Sequence, residues 1–311
     1  RLNPEMEVHV AASQINRAFL EKQPSVDRVH VLYTKKAKVP RRALRNLATI
    51  LGLRRLRFDA VLDLIHDNRK DSNPFLANLA APGALRSGYE KGTRPYQAFD
   101  QVASSRNVKS RHAALEIQAI VENAFETPEG FEFPTPRVAP DPDAAAAVQA
   151  ALKTAGVKRY VVVNVSAGDP RREYPEDKWR RALEGILPKW PELCAVATGP
   201  AFESDRLQAV CEGLGQDLRP RCLALPTTLP ECSELLRTAA AVLSPDTSVV
   251  HLAAAHGVRV LGLYDDRHYK ERVWAPFAVE HRLVFPADGG RIADIPEQDV
   301  VRAFDELMKG E

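Results

Sequence analysis

Cysteine is scarce. Cys194, Cys211, Cys222 and Cys232 are the only four in 311 residues, and none stands in CxxC spacing. That argues against a zinc site or a disulfide framework and leaves reduced thiols as the expectation. Long apolar runs are also absent. None approaches the roughly 20 residues needed to cross a bilayer. The opening RLNPEMEVHV carries charge where a secretory signal would have its apolar core. Neither GxGxxG nor GxxxxGK[ST] occurs. A dinucleotide-dependent oxidoreductase and a P-loop NTPase therefore lack their main support. Internal repeats and low-complexity tracts are missing too.

What is present is ordinary for a folded chain. Hydrophobic residues make up 45% and charged residues 27%, enough to build one large or two ordinary domains with real cores. Net charge is only +2, but it is unevenly placed. Arg28, Lys35, Lys36, Lys38, Arg41, Arg42, Arg45, Arg54, Arg55 and Arg57 fall in one stretch without a single Asp or Glu. Such a stretch is either a solvated helical face or a patch for an anionic partner. Interleaved aromatics for base stacking are almost lacking, which disfavours nucleic acid. An anionic membrane surface or a phosphorylated acceptor suits it better.

Short β-rich runs alternate with helical patterns. EVHVAAS (7–13), VDRVHVLYT (26–34) and FDAVLDLI (58–65) read as strands, and INRAFLEKQ (15–23) as a helix. PRRALRNLATILGLRRL (40–56) has a helical stripe at Leu44, Leu47, Ile50 and Leu51. Helical spacing would set Arg41, Arg42 and Arg45 opposite the Leu44–Leu47–Leu51 side. The proline-rich stretch 126–142 reads as a linker. Beyond it the alternation restarts, with strands RYVVVNVSAG, ELCAVATG, AAVLSP and VRVLGLY separated by helices. The expectation is two doubly wound α/β domains, 1–137 and 138–311, facing a cleft. The first strand, ligand loop and helix of the N-terminal domain do not appear among these residues.

In open parallel sheets, ligands sit beyond the carboxyl ends of the strands, where helix N-termini point free N–H groups. Three loops of the second half fit. VSAGDPRREYP (165–175) offers the small residues Ser166 and Gly168, then Arg171 and Arg172 as forked phosphate donors. ATGPAFESDR (197–206) offers Thr198 and a carboxylate, Glu203, suited to a helix dipole or to ribose hydroxyls. DTSVVHLAAAHG offers Asp246, Thr247 and Ser248 as caps of an apolar helix, with His251 one turn in. Together they suit the pyrophosphate and ribose of a sugar nucleotide.

DTSVVHLAAAHGVRVLGLY resembles the D-[ST]-G-x-x-H-L-A-A-x-x-G-x-P motif of glycosyltransferase family 9, the ADP-heptose:lipopolysaccharide heptosyltransferases. VNVSAGDPRREYPEDKW resembles that family's small-residue loop, K-R-W-P and helix. FDAVLDLIHDNRKDSNPFLANLAAPGALRSGYEK and LPTTLPECSELLRTAAAVLSPDTS resemble two further segments. The resemblance implies a GT-B fold, with a C-terminal nucleotide-sugar domain and an N-terminal acceptor domain. It implies an inverting transfer of heptose, or a related sugar, from ADP-heptose to a lipopolysaccharide core acceptor. No metal and no cofactor beyond the ADP-sugar donor are implied. The donor site would hold Ser166, Gly168, Arg172, Thr198, Glu203, Asp246, Thr247, Ser248 and His251, with Arg172 where the family has a phosphate-facing Lys. Arg41, Arg42 and Arg45 are acceptor candidates. The family's general-base Asp lies in the first strand–loop segment, so no catalytic residue is assigned. The implied setting is cytoplasmic, peripheral on the inner face of a bacterial inner membrane. Ser248 for Gly, Tyr174 for Trp, Arg259 for Pro, and DDRHYKE for a Gly-Pro-Thr loop depart from the pattern. A GT-B enzyme using another nucleotide sugar and a non-catalytic sugar-nucleotide-binding relative stay open as alternatives.

Overall fold

The computed structural model describes residues 5–33, 39–64, 73–89, 101–103, 112–128 and 130–310. The chain divides into two compact units, residues 1–134 and 135–311. The stretch between Phe125 and the helix beginning at Pro142 carries no regular element among its described residues.

In the first unit, β1 (His9–Ala12) and β2 (Arg28–Val31) pair in parallel, His9 opposite Arg28. A second parallel sheet joins β3 (Ala60–Asp63), β4 (Leu85–Tyr89) and β5 (Gln101–Ala103) in that order. The helices are α1 (Arg17–Leu20), α2 (Val39–Leu56), α3 (Asn73–Ala80) and α4 (Ala113–Ala124). The region read as a helix over 15–23 forms a single helical turn.

The helix expected over 40–56 forms, and the residues of its apolar stripe divide between two sides. Among its described side chains, Ile50 and Leu53 are the buried ones, at 7% and 8% exposure. Asn46 and Thr49 share that side: Asn46 accepts from Tyr33 N at 2.8 Å, and Thr49 Oγ1 donates to Val31 O at 3.3 Å. These bonds fix which side faces β2. Leu44, Leu47 and Leu51 instead face solvent, with exposures of 68%, 50% and 50%. Arg45 is exposed, its guanidinium 5.1 Å from the Tyr33 ring centre. The side chains of Arg41 and Arg42 lie outside the described residues.

The second unit holds one six-stranded sheet, all parallel, in the order β11-β10-β9-β6-β7-β8. The strands are β6 (Tyr160–Asn164), β7 (Cys194–Gly199), β8 (Cys222–Pro226), β9 (Ala241–Pro245), β10 (Val260–Leu263) and β11 (His281–Val284). Between β6 and β9 the order reverses direction, which is the switch point of a doubly wound sheet. Period-two alternation assigns the faces. Val161 and Val163 enter a core with α6 (Glu176–Ile186), α7 (Ser204–Glu212) and α11 (Glu297–Lys309). Tyr160 and Val162 enter another with α5 (Pro142–Thr154), α8 (Leu229–Arg237) and α9 (Ser248–Ala255). α10 (Arg267–Trp274) follows β10.

Local chemistry sets the helix ends. Asp141 caps α5 by accepting from Ala144 N at 3.2 Å, and Gly156 turns the chain with φ of 68°. Thr228 and Glu231 form a reciprocal capping box at α8. Along α6, Trp179, Ala182, Leu183 and Ile186 are buried at helical spacing.

Candidate functional site

The switch point carries a buried polar knot. Asn164, at the end of β6, is 2% exposed, and Ser244 on β9 is fully buried. Asn164 Nδ2 lies 3.0 Å from Ser244 Oγ, 3.1 Å from Thr247 Oγ1 and 3.0 Å from Ser166 O, and donates among them. Its Oδ1 accepts from Ser166 N at 3.3 Å. Ser244 Oγ donates to Pro245 O at 2.8 Å. One side chain thus fixes the starts of two loops on neighbouring strands. Buried polar groups persist only when satisfied in this way.

Thr247 is the cap of α9, its hydroxyl accepting from Val249 N at 3.3 Å. Val250 N donates to Thr247 O at 3.2 Å, which leaves Ser248 N at the start of the helix to meet an anion. Ser248, the first helical residue, is exposed at the same end. His251 is partly buried one turn in, its ring centre 5.9 Å from that of Trp274.

Asp246 is not a cap. It is 5% exposed and lies between two cations. Lys270 Nζ of α10 is hydrogen-bonded to its Oδ2. Arg172 Nη1 lies 3.5 Å from the same oxygen and donates to Asp246 O at 3.0 Å. The carboxylate holds both cations at the mouth of the α9 N-terminus. Arg171 points elsewhere. Its side chain is 83% exposed and clasps Asp169 at 2.6 Å. That bond and the backbone N–H of Arg171 hold the Asp169 carboxyl down at about 2.

The third loop joins through Ser166, whose hydroxyl donates to Glu203 Oε1 at 3.1 Å. Oε2 of Glu203 has no hydrogen-bond partner among the described residues, with Arg206 Nη1 3.6 Å away. That oxygen is buried, and an unsatisfied buried acceptor calls for a partner such as a ligand hydroxyl or a water. Gly199 permits this approach. A Cβ there would lie 3.2 Å from Ser166 Cβ and 3.5 Å from Glu203 Oε2. Gly168 is exposed, and a Cβ there would meet nothing within 4 Å, so the protein's own packing does not require glycine.

Thr198 stands apart from its expected role. It is fully buried, and its hydroxyl donates to Leu225 O at 2.9 Å beside Thr227 Oγ1, also at 2.9 Å. It pins β7 to β8 rather than facing the loops. Ser166, Arg172, Glu203, Asp246, Thr247 and Ser248 do gather at the ends of β6, β7 and β9. Asn164, Ser244 and Lys270 were not anticipated from the sequence. The first two look like ordinary strand-end residues, and Lys270 follows Asp246 by 24 positions. A further carboxylate, Asp265, closes β10 with Oδ1 buried and without a hydrogen-bond partner among the described residues.

Among the described residues, no group of three or more His, Cys, Asp or Glu is placed to hold a metal ion. The arrangement instead combines paired cations, a helix N-terminus and a carboxylate with one unsatisfied oxygen. That set can bind a phosphorylated, hydroxyl-bearing ligand.

The sequence profile of glycosyltransferase family 9 (heptosyltransferase) matches residues 47–286. No curated protein matches the chain. Solved structures do, at low identity. A family 9 glycosyl transferase from Veillonella parvula superposes with a TM-score of 0.77 at 14% identity, over 98% of this chain and 89% of that one. The Escherichia coli ADP-heptose lps heptosyltransferase II gives 0.71 at 16%, over 99% and 91%. The E. coli heptosyltransferase WaaC, solved with ADP, gives 0.72 at 17%, over 98% and 91%.

Proposed function

Since the chain belongs to glycosyltransferase family 9, with the α/β fold of the GT-B enzymes, and is a glycosyltransferase, we propose that it transfers a heptose from ADP-heptose to a lipid-linked acceptor of the lipopolysaccharide core type. The observation that carries this reading is the cluster at the β6–β9 switch point: Arg172 and Lys270 gathered on Asp246 at the open end of α9.

An acceptor hydroxyl attacks the anomeric carbon as the bond to the diphosphate breaks. Negative charge then grows on the leaving phosphate oxygens. In this reading Arg172, Lys270 and the N-terminal end of α9 stabilise that charge, which is where preorganised donors lower a barrier. Glu203, with one oxygen held by Ser166, is assigned to the ribose hydroxyls. Attack opposite the leaving group inverts the anomeric centre. In this reading the cationic side chains neutralise the diphosphate, and the ADP-sugar is the only small-molecule partner. No helix among the described residues is long and apolar enough to cross a membrane. In this reading the lipid-linked acceptor is met at the cytoplasmic surface of the inner membrane, with the enzyme bound peripherally.

A thermal-shift panel tests the donor. ADP or an ADP-sugar at about 100 times Kd stabilises the protein by about 2.7 kcal/mol, and UDP and GDP much less. A clear preference for UDP or GDP sinks the ADP-heptose assignment. Transfer of labelled heptose to a lipid-linked core acceptor tests the reaction itself.

A further inference from the structure

We propose that Arg206 is a positioning residue for the donor ribose: it aims Glu203 at the sugar while leaving open the carboxylate oxygen that the sugar needs. The proposal rests on the assignment of Glu203 to the ribose hydroxyls above, and its test separates the two.

Arg206 stands among three carboxylates drawn from two loops. Its Nε is hydrogen-bonded to Glu176 Oε1. Its Nη1 lies 3.3 Å from Glu173 Oε1 and 3.6 Å from Glu203 Oε2. Glu173 belongs to the loop that carries Ser166 and Arg172, and Glu176 opens α6. Glu203 immediately precedes α7, and Arg206 follows it by three positions, which sets the two side chains beside each other. One guanidinium therefore ties the first loop to the second. Glu203 has only 11% of its side chain exposed and Arg206 24%, so water screens their field less than it would at the open surface.

The distances decide what the cluster does. At 3.6 Å, Nη1 is too far from Glu203 Oε2 for a hydrogen bond but near enough to steer a charged carboxylate. Glu173 and Glu176 hold the guanidinium back, where an unencumbered arginine at this spacing would close on Glu203 and satisfy it. Oε1 is meanwhile fixed by the Ser166 hydroxyl at 3.1 Å. A carboxylate clasped on one oxygen and steered on the other gives up its rotamer freedom before the ligand arrives, and such preorganisation raises affinity. Its Oε2 stays buried and without a hydrogen-bond partner among the described residues, as a hydroxyl donor requires. Three carboxylates facing one guanidinium also favour a hydroxyl over a phosphate at this point. Partly exposed ion pairs add little to folding stability, so the arrangement is not explained as a folding device.

Calorimetric titration of the full chain with ADP, 2′-deoxy-ADP, 3′-deoxy-ADP and inorganic pyrophosphate tests this. The wild type should bind ADP roughly tenfold or more tightly than at least one deoxy analogue, as a hydroxyl–carboxylate bond requires. Glu203→Gln and Arg206→Gln should each bring that ratio below about threefold, and the double variant should lose no more than either, because the two residues act as one unit. Arg206→Lys keeps the charge among the glutamates but not the fork, and as the second variant it should lose the ratio likewise. Pyrophosphate affinity should stay within about threefold of wild type throughout, since Arg172 is held independently by Asp246. Arg206 variants that keep the ratio while Glu203→Gln loses it overturn the proposal and leave the ribose assignment standing. An equal fall in ADP and pyrophosphate affinity also overturns it, because Arg206 would then support the loops in general. A wild type without the ratio, or a Glu203→Gln variant that retains it, removes the ribose from Glu203 and overturns both. The preference for ADP over UDP and GDP is measured by thermal shift and does not enter these ratios.

Discussion

Arg171 and Arg172 are neighbours in sequence and opposites in structure. Arg171 spends its charge on Asp169 at the surface, whereas Arg172 is drawn to the buried Asp246. Replacing Arg172 with Ala should therefore weaken ADP binding by about 1.5–3 kcal/mol, the worth of a charge-assisted contact. Arg171→Ala should change Kd by less than about threefold, as expected for an exposed pair. Calorimetric titration of both variants checks this, and equal affinities for wild type and Arg172→Ala would remove Arg172 from the phosphate. A second residue-scale prediction concerns His256. Its Nε2 lies 2.9 Å from Ser233 Oγ, and Nδ1 is buried without a hydrogen-bond partner among the described residues. Burial first, and then Arg237, push its pKa down from 6.5 to about 4, against the opposing field of Glu234. Between those values the unfolded chain binds a proton that the folded chain refuses. Stability should thus be full above about pH 6.5 and fall as pH drops toward 4, by about 1–2 kcal/mol after discounting for partial exposure. Urea unfolding at about pH 7.5 and about pH 5 measures it. His256→Gln should flatten that part of the pH dependence; an unchanged slope would assign it to other groups.

Elements explain why some of this was legible and some was not. In the second unit, strands and helices alternate with buried apolar runs, and the reading of the sequence placed β6, β7, β9, β10 and the helices between them. Small, capping and charged residues at three strand ends pointed to one sheet edge, and β9-β6-β7 adjacency brings those ends together. Asn164 and Ser244 were invisible because 80 positions separate them, and only strand pairing makes them neighbours. The packing side of α2 was not legible for a different reason. Leucine lies on more than one side of it, and periodicity cannot say which side meets the sheet. Two polar residues, Asn46 and Thr49, decide that through backbone bonds. Thr198 looked like a loop residue but closes a strand–strand contact. The polar knot itself makes a prediction. Asn164→Ala leaves Ser244 and Thr247 short of a donor in a buried setting, so it should cost about 1–3 kcal/mol of stability. Denaturant midpoints at unchanged m-value would show it; a loss below about 0.5 kcal/mol would mean that water or a neighbour replaces the amide.

At the scale of the whole molecule, the donor machinery and the core that supports it lie on one side of the division at residue 135. Both hydrophobic clusters draw their buried residues from Val148 to Met308. All six strands of the large sheet, and every side chain assigned to the nucleotide, fall within residues 135–311. A unit of that size can bury roughly 70% of the surface its unfolded chain exposes, enough for independent stability. The polar knot, the Asp246 ion pairs and the caps of α5 and α8 are made between residues of this unit. Residues 135–311 expressed alone should therefore unfold in one cooperative step and bind ADP within about threefold of the full chain's affinity. Calorimetry of the fragment, with and without ADP, tests both parts. A fragment that folds but has lost ADP binding would place an essential nucleotide contact in residues 1–134. A fragment that does not fold would show that the second unit depends on the first for its stability. With binding retained, residues 135–311 alone would account for the affinity for ADP, and no nucleotide contact would need to be sought in residues 1–134.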